Sequence, residues 1–275
     1  MEVYYVNHLN EKIDLGRYPY QMQIGDIFNY SNKYEGKNLA VKRIYKEIST
    51  LQTTVTIEGN SEESFFQAVN DFLDITDADT VSNVFGRLYV GEYYIECNII
   101  SSDKKFWEET HRGVENNIKL LMERPVWCRE FTQQFYKGSA AQRSDPFLYY
   151  PIQYPYQYSA PKDLRLFHND HYADCDFKMI IYGPCIDPMI RINGHPYSFK
   201  LTLYEGEFLE VESRYNTVER VQKDGTRLTE FNQREKKDSV FQKIPAGNCS
   251  VVWNTSEFGF DLILYQERSE PKWTL

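Results

Sequence analysis

The feature that most constrains this chain is a series of short strand-like segments in Leu164–Leu275, separated by tight-turn signals. Met189-Ile190-Arg191-Ile192 runs into Asn193-Gly194, a dipeptide suited to the left-handed backbone of a two-residue hairpin. Phe199 to Tyr204 turns at Glu205-Gly206 into Phe208-Leu209-Glu210-Val211, and Thr217 to Gln222 turns at Asp224-Gly225 into Thr226 to Phe231. Val240 to Ile244, Ser250 to Trp253 and Phe260 to Tyr265 follow. Short strands at roughly 8 to 12 residue intervals predict an all-β sandwich or barrel.

The first stretch, to about residue 137, mixes strands with one helix. Leu39, Val41, Arg43 and Tyr45 alternate with Lys42, Ile44 and Lys46, and Thr53, Val55 and Ile57 share one face of a second strand. Gly86 to Ile100 reads as a hairpin around Gly91-Glu92, with Tyr93, Ile95, Cys97 and Ile99 on one side. Ile118, Leu120 and Met122 fit either a strand or a helix. Phe65, Val69, Phe72 and Leu73 recur at helical spacing with Phe66 on the flank. Asn60 and Glu63 are placed for a capping box, and Asp77-Ala78-Asp79 reads as the helix end.

Between these regions, about Gly138 to Asp163, four prolines (Pro146, Pro151, Pro155, Pro161) interleave with Tyr149, Tyr150, Tyr154, Tyr156 and Tyr158. Proline fixes φ and removes a donor, so this connector is expected to be extended and semi-rigid, its rings docked on a surface. The expected division is therefore 1–137, a connector over 138–163, and 164–275.

Charge and chemistry narrow the function. Lys and Arg total 31 against 40 Asp and Glu, a formal charge of −9, which opposes a bulk electrostatic grip on nucleic acid or an anionic membrane. No apolar run approaches the roughly 18 to 20 residues of a membrane span, and the N-terminus lacks the pattern of a secretory signal. Five cysteines (Cys97, Cys128, Cys175, Cys185, Cys249) at wide spacings suggest reduced thiols. His168, Asp170, His171, Asp174 and Cys175 are the residues nearest to a metal set, and turn chemistry explains them better. Glu207, Glu210 and Glu212 crowd one strand, with Glu210 and Glu212 on the same face. A glycosidase needs a fixed carboxylate pair, and a solvated strand face is the simpler reading. Trp253, Trp273 and the surface tyrosines are conceivable sugar platforms. No catalytic, cofactor-binding or metal-ligating residue is assigned, no cofactor is expected, and the chain is not expected to be an enzyme; a cell-wall hydrolase is the weakest reading.

Asn169, Ile180-Ile181-Tyr182-Gly183-Pro184, Asp187-Pro188-Met189-Ile190-Arg191-Ile192-Asn193 and Leu203-Tyr204-Glu205-Gly206-Glu207-Phe208-Leu209-Glu210-Val211 stand in that order in the β-rich third region, which on them resembles the C-terminal part of the siphophage distal tail protein family. Lys223-Asp224-Gly225, Ile244-Pro245-Ala246-Gly247 and Glu270-Pro271-Lys272-Trp273 follow in order. Gly86-Arg87-Leu88-Tyr89-Val90, Tyr93-Tyr94-Ile95-Glu96-Cys97 and Pro125-Val126-Trp127 agree more loosely. The resemblance implies a mainly β chain. An α+β N-terminal domain, a tail-tube-like barrel or sandwich with one packed helix, would precede a galectin-like jelly-roll sandwich. It further implies a hexameric ring at the virion tail tip, made in the bacterial host cytoplasm. That ring would join the tail tube protein to the tail-tip hub protein, and a receptor-binding protein or host glycan is a further expected partner. It implies neither sequence-specific nucleic-acid binding nor membrane insertion. The alternative is a lectin-like carbohydrate-binding module.

Overall fold

The computed structural model describes residues 2–37, 40–105, 112–136, 164–254 and 257–273. Within it the chain forms two compact units, Met1–Arg129 with Glu267–Leu275, and Glu130–Gln266. The second unit is thus inserted in the first. The expectation had the last domain running unbroken to the C-terminus; instead Glu267 pairs with Arg124 at 2.6 Å, and the Trp273 ring lies 5.5 Å from that of Phe28. The Tyr/Pro connector lies outside the described residues.

The first unit contains β1 (Val3–Val6), β2 (Lys12–Asp14), β3 (Tyr20–Met22), β4 (Lys33–Lys37), β5 (Ala40–Tyr45) and β6 (Ser49–Glu58). Helix α1 (Glu62–Ser82), β7 (Gly86–Val90), β8 (Tyr93–Lys105) and β9 (Gly113–Met122) follow. Its strands pair in the order β2-β1-β7-β8-β9-β6-β3. The long β8 makes this possible: Tyr93–Cys97 pairs with β7, and Asn98–Lys105 pairs with β9. Thr53, Val55 and Ile57 are buried as their alternation requires. The ambiguous 118–122 stretch is a strand, with Ile118, Leu120 and Met122 all inward.

Helix α1 lays Phe65, Ala68 and Phe72 into this core against β6 and β8. Two details correct the sequence reading. The N-cap is Ser61, whose side chain and that of Ser64 satisfy each other's backbone N–H, so the capping box is one residue later than expected and uses serine in place of Glu63. The helix also continues through Asp77-Ala78-Asp79 to a left-handed Asn83 cap. Asp79 does not break it, because the Asp79 carboxylate is a buried tertiary acceptor: Tyr5 Oη donates at 2.5 Å and the His8 backbone N–H at 2.8 Å.

The chain passes into the second unit within β10 (Trp127–Phe135) and returns within β21 (Phe260–Arg268). Between them lie β11 (Leu164–Asn169), β12 (Asp176–Tyr182), β13 (Cys185–Ile186), β14 (Met189–Ile192) and β15 (His195–Ser198). Next come β16 (Thr202–Leu203), β17 (Phe208–Glu212), β18 (Thr217–Val221), β19 (Arg227–Thr229) and β20 (Gly247–Trp253). One sheet runs β19-β18-β17-β12-β21 and the other β11-β20-β14-β15. Phe177, Met179 and Leu262 from the first share one buried cluster with Ile190, Val251 and Trp253 from the second, so the two sheets form a sandwich. Among the described residues no sheet closes on itself.

The turns fall where the dipeptides place them. Asn193 (φ 49°) and Gly194 (φ 84°) join β14 to β15, and Asp224-Gly225 joins β18 to β19. At Glu205-Gly206 the turn forms, but its flanks do not pair with each other. β16 pairs with β13, while β17 pairs with β12 and β18. Val240–Ile244 forms no strand; Val240 and Ile244 serve as buried plugs, with one bridge from Ile244 to Cys175.

Candidate assembly surfaces

The residues singled out for chemistry prove to be structural. His168 Nδ1 meets Asn248 Oδ1 at 2.8 Å, and the His171 ring packs 4.3 Å from Tyr172. Gln266 Nε2 donates to Asp170 at 2.6 Å, and the Ala246 N–H donates to Asp174 at 3.3 Å. Cys175 is buried beside Asn169. Each member is directed at a different backbone or side-chain partner, tying the turn before β12 to its neighbours. Among the described residues no group of three or more His, Cys, Asp or Glu is placed to hold a metal. All five cysteines are buried. Burial pushes the Cys97 thiol up to about 12 and Cys185 up to about 11, away from the thiolate a nucleophile needs.

The carboxylates of β17 behave differently from one another. Glu210 and Glu212 do share the outer face. Burial works to raise Glu210, but hydrogen bonds from Arg227 and Lys178 outweigh it and hold the carboxyl below its usual value. Their nitrogens lie 2.7 and 3.1 Å from it. Burial raises Glu212 despite the 2.6 Å hydrogen bond donated by Tyr265 Oη. Two carboxyls with opposed shifts are the pattern of an acid–base pair, yet both are engaged by the protein's own donors. Glu207 sits at the turn, accepting the Tyr204 N–H at 3.0 Å. The face is an ion-paired lattice, in place of the freely solvated one expected.

Of the two tryptophans among the candidate sugar platforms, Trp253 is core: it is 3% exposed and donates to the Phe258 carbonyl. Trp273 is 74% exposed. Among the surface tyrosines, Tyr182 is an outward aromatic. Its hydroxyl donates to Asp261 at 2.9 Å, and burial together with that carboxylate pushes it up to about 12.

A cleft of about 630 Å³ opens on the first unit, lined by Tyr30, Leu51, Gln52, Met122 and Trp127 among others. Lys46 donates to the Pro125 carbonyl at 2.9 Å and sits over the Tyr30 ring. Burial lowers its pKa.

Two further surfaces stand out by exposure and charge. Hairpin β4–β5 is exposed along nearly its whole length, with Tyr34, Val41 and Ile44 each more than 60% exposed. Helix α1 contains six acidic residues and no Lys, Arg or His. Five of these, Glu62, Glu63, Asp71, Asp74 and Asp77, are exposed. The alternation of β5 was legible in the sequence; that both its faces are bare was not.

No family model matches the chain, and no curated protein matches it. Solved structures do. A chain of the phage P2 baseplate in its activated conformation with Ca matches with a TM-score of 0.62 at 12% identity, covering 98% of this chain and 99% of that one. The same baseplate with Sr gives 0.59 at 13% identity, covering 98% and 99%. The SPP1 Dit (gp 19.1) protein, described as a paradigm of the hub adsorption apparatus in phages infecting Gram-positive hosts, gives 0.54 at 6%, covering 97% and 98%. Over essentially its full length, this chain has the fold of phage baseplate and Dit proteins.

Proposed function

We propose that the chain is a structural distal tail protein of a siphophage or prophage. Six copies form a ring that joins the tail tube to the tail-tip hub and carries host-adhesion proteins. In this reading the first unit is the tail-tube-like, ring-forming part and the second is a galectin-like sandwich at the periphery. The observation that carries it is the near-complete coverage in both directions, which spans both units of this chain and is wider than a shared sandwich domain alone would give. Sedimentation of the purified protein, alone and with tube and hub proteins, tests this directly: a ring has a mass of about 196 kDa, six times 32.6 kDa. A chain that stays at the mass of one copy in both mixtures overturns it. In the ring we place an excess of Asp and Glu on the channel wall, as a conduit that must not grip DNA requires; a basic lumen in an image of the ring refutes this.

A second reading, glycan binding by the second unit, is favoured by Tyr182, 41% exposed on the outer sheet face beside Phe208 and hydrogen-bonded to Asp261. Aromatic faces flanked by carboxylates suit sugar rings and hydroxyls. Binding on a glycan array that disappears in Tyr182→Ala supports it, and a blank array removes it.

A further inference from the structure

We propose that hairpin β4–β5 of one copy lies on the acidic face of helix α1 of a second copy; the inference rests on the ring reading and names its contact.

The hairpin is the less self-sufficient of the two surfaces. Among the described residues its strands pair only with each other, Tyr34 facing Ile44 and Glu35 facing Arg43, with a register shift at Gly36. A two-stranded ribbon with neither face covered is marginal by itself. This one leaves Tyr34 at 73%, Ile44 at 66% and Val41 at 62% exposure, and apolar surface of that kind marks a contact. Its charge is specific. Residues 33–45 carry Lys33, Lys37, Lys42 and Arg43 against Glu35 alone, a net of +3 on a chain whose total is −9.

Helix α1 supplies the complement. Glu63, Gln67, Asn70, Asp74, Asp77 and Val81 follow one face at spacings of three and four, and all are exposed. Asp71, Asp74 and Asp77 recur at i, i+3, where like charges oppose one another. Asp74 and Asp77 also lie toward the negative end of the helix dipole, and no basic residue stands in the last turn. Phe66 (45% exposed) and Val81 (86%) add apolar surface at the two ends of this row. Within one copy Glu63 has the favourable first turn of the helix and Asp71 a hydrogen bond from Gln67 Nε2 at 2.6 Å, but the row has no basic partner among the described residues. Among the described residues no ion pair engages these five carboxylates, and none engages Lys33, Lys37, Lys42 or Arg43. A second copy provides both halves at once. The contact is heterologous, each copy giving its hairpin to one neighbour and its helix to another, and contacts of that type close into rings when the rotation permits.

The test mixes unlabelled and nitrogen-15-labelled full-length protein at low salt and joins touching amines and carboxylates with a zero-length carbodiimide. Mass spectrometry then reads heavy–light peptide pairs. Pairs linking Lys33, Lys37 or Lys42 to Asp71, Asp74 or Asp77 are expected; their absence, or exclusively same-isotope pairs, overturns the proposal. Charge reversal gives a second readout. Lys42→Glu with Arg43→Glu, or Asp71→Lys with Asp74→Lys, should weaken self-association roughly tenfold, and all four changes together should restore it. Rings that form undisturbed by either reversal sink the contact and spare the ring. Heavy–light links in a protein that never exceeds a dimer support the contact and sink the ring.

Discussion

Hairpins β4–β5 and β7–β8 are both antiparallel ribbons of the first unit, built from alternating apolar and polar residues, and they end in opposite surroundings. In β7–β8, Leu88, Val90, Tyr93, Ile95 and Cys97 are all buried, and Tyr94 is buried on the opposite face. In β4–β5 hardly a side chain is covered. Alternation says that a strand has two unlike faces. It does not say whether this chain, another chain or water covers each. What separates the two ribbons is their charged residues: β7–β8 has Arg87 and Glu96 set against each other at 3.9 Å, whereas β4–β5 concentrates one sign.

The comparison can be broken most forcefully by truncating the covered ribbon. Leu88→Ala should lower the unfolding free energy by about 2–5 kcal/mol, read from urea midpoints, since it opens a cavity in a closed core. A loss under about 1 kcal/mol would mean that the core is not closed there. Gly86 in the same ribbon comes next. A Cβ there would fall 2.1 Å from both the Asp79 carboxylate and the Tyr5 hydroxyl, so Gly86→Ala should cost about 1–3 kcal/mol. Gly86→Ala should still be costly in a Tyr5→Phe background, since the ring carbon that carries the hydroxyl lies 2.4 Å from the same point.

The acid dependence of the second unit is smaller. Glu210 lies below its unfolded value in the folded chain, so its contribution is present above that value and is lost as pH falls through the folded pKa. Glu210→Gln should flatten the decline of the urea midpoint from about pH 5 downward. Glu212 is raised and acts in the opposite sense, its protonation favouring the fold. Glu212→Gln should therefore not flatten that decline. The smallest effect belongs to the bare ribbon: Ile44→Thr should shift single-copy stability by no more than about 0.5 kcal/mol. The same change at Ile95 would be costly, and equal losses at the two positions would erase the contrast.

Much of the architecture was legible because it is local. The buried face of β6, the Asn193-Gly194 and Asp224-Gly225 turns and the aromatic stripe of α1 follow from periodicity and backbone preference. What was not legible is tertiary. Asp79 reads as a helix breaker until Tyr5, far away in the chain, donates to it. Val240 and Ile244 read as a strand because plugs and strands can share a pattern. The acid row of α1 was visible in the sequence as composition, but its exposure, and the missing counter-charge around it, needed the folded surface.

The return of the chain to its first unit sets an order of events during synthesis. Arg124 is translated long before Glu267, and Phe28 before Trp273, yet each waits for its companion. The unit begun first is therefore completed last, after the inserted sandwich has left the ribosome. Domains usually mature from the N-terminus onward as they are made; this nesting reverses that sequence, so the first unit closes only once the segment carrying Glu267 and Trp273 has been made.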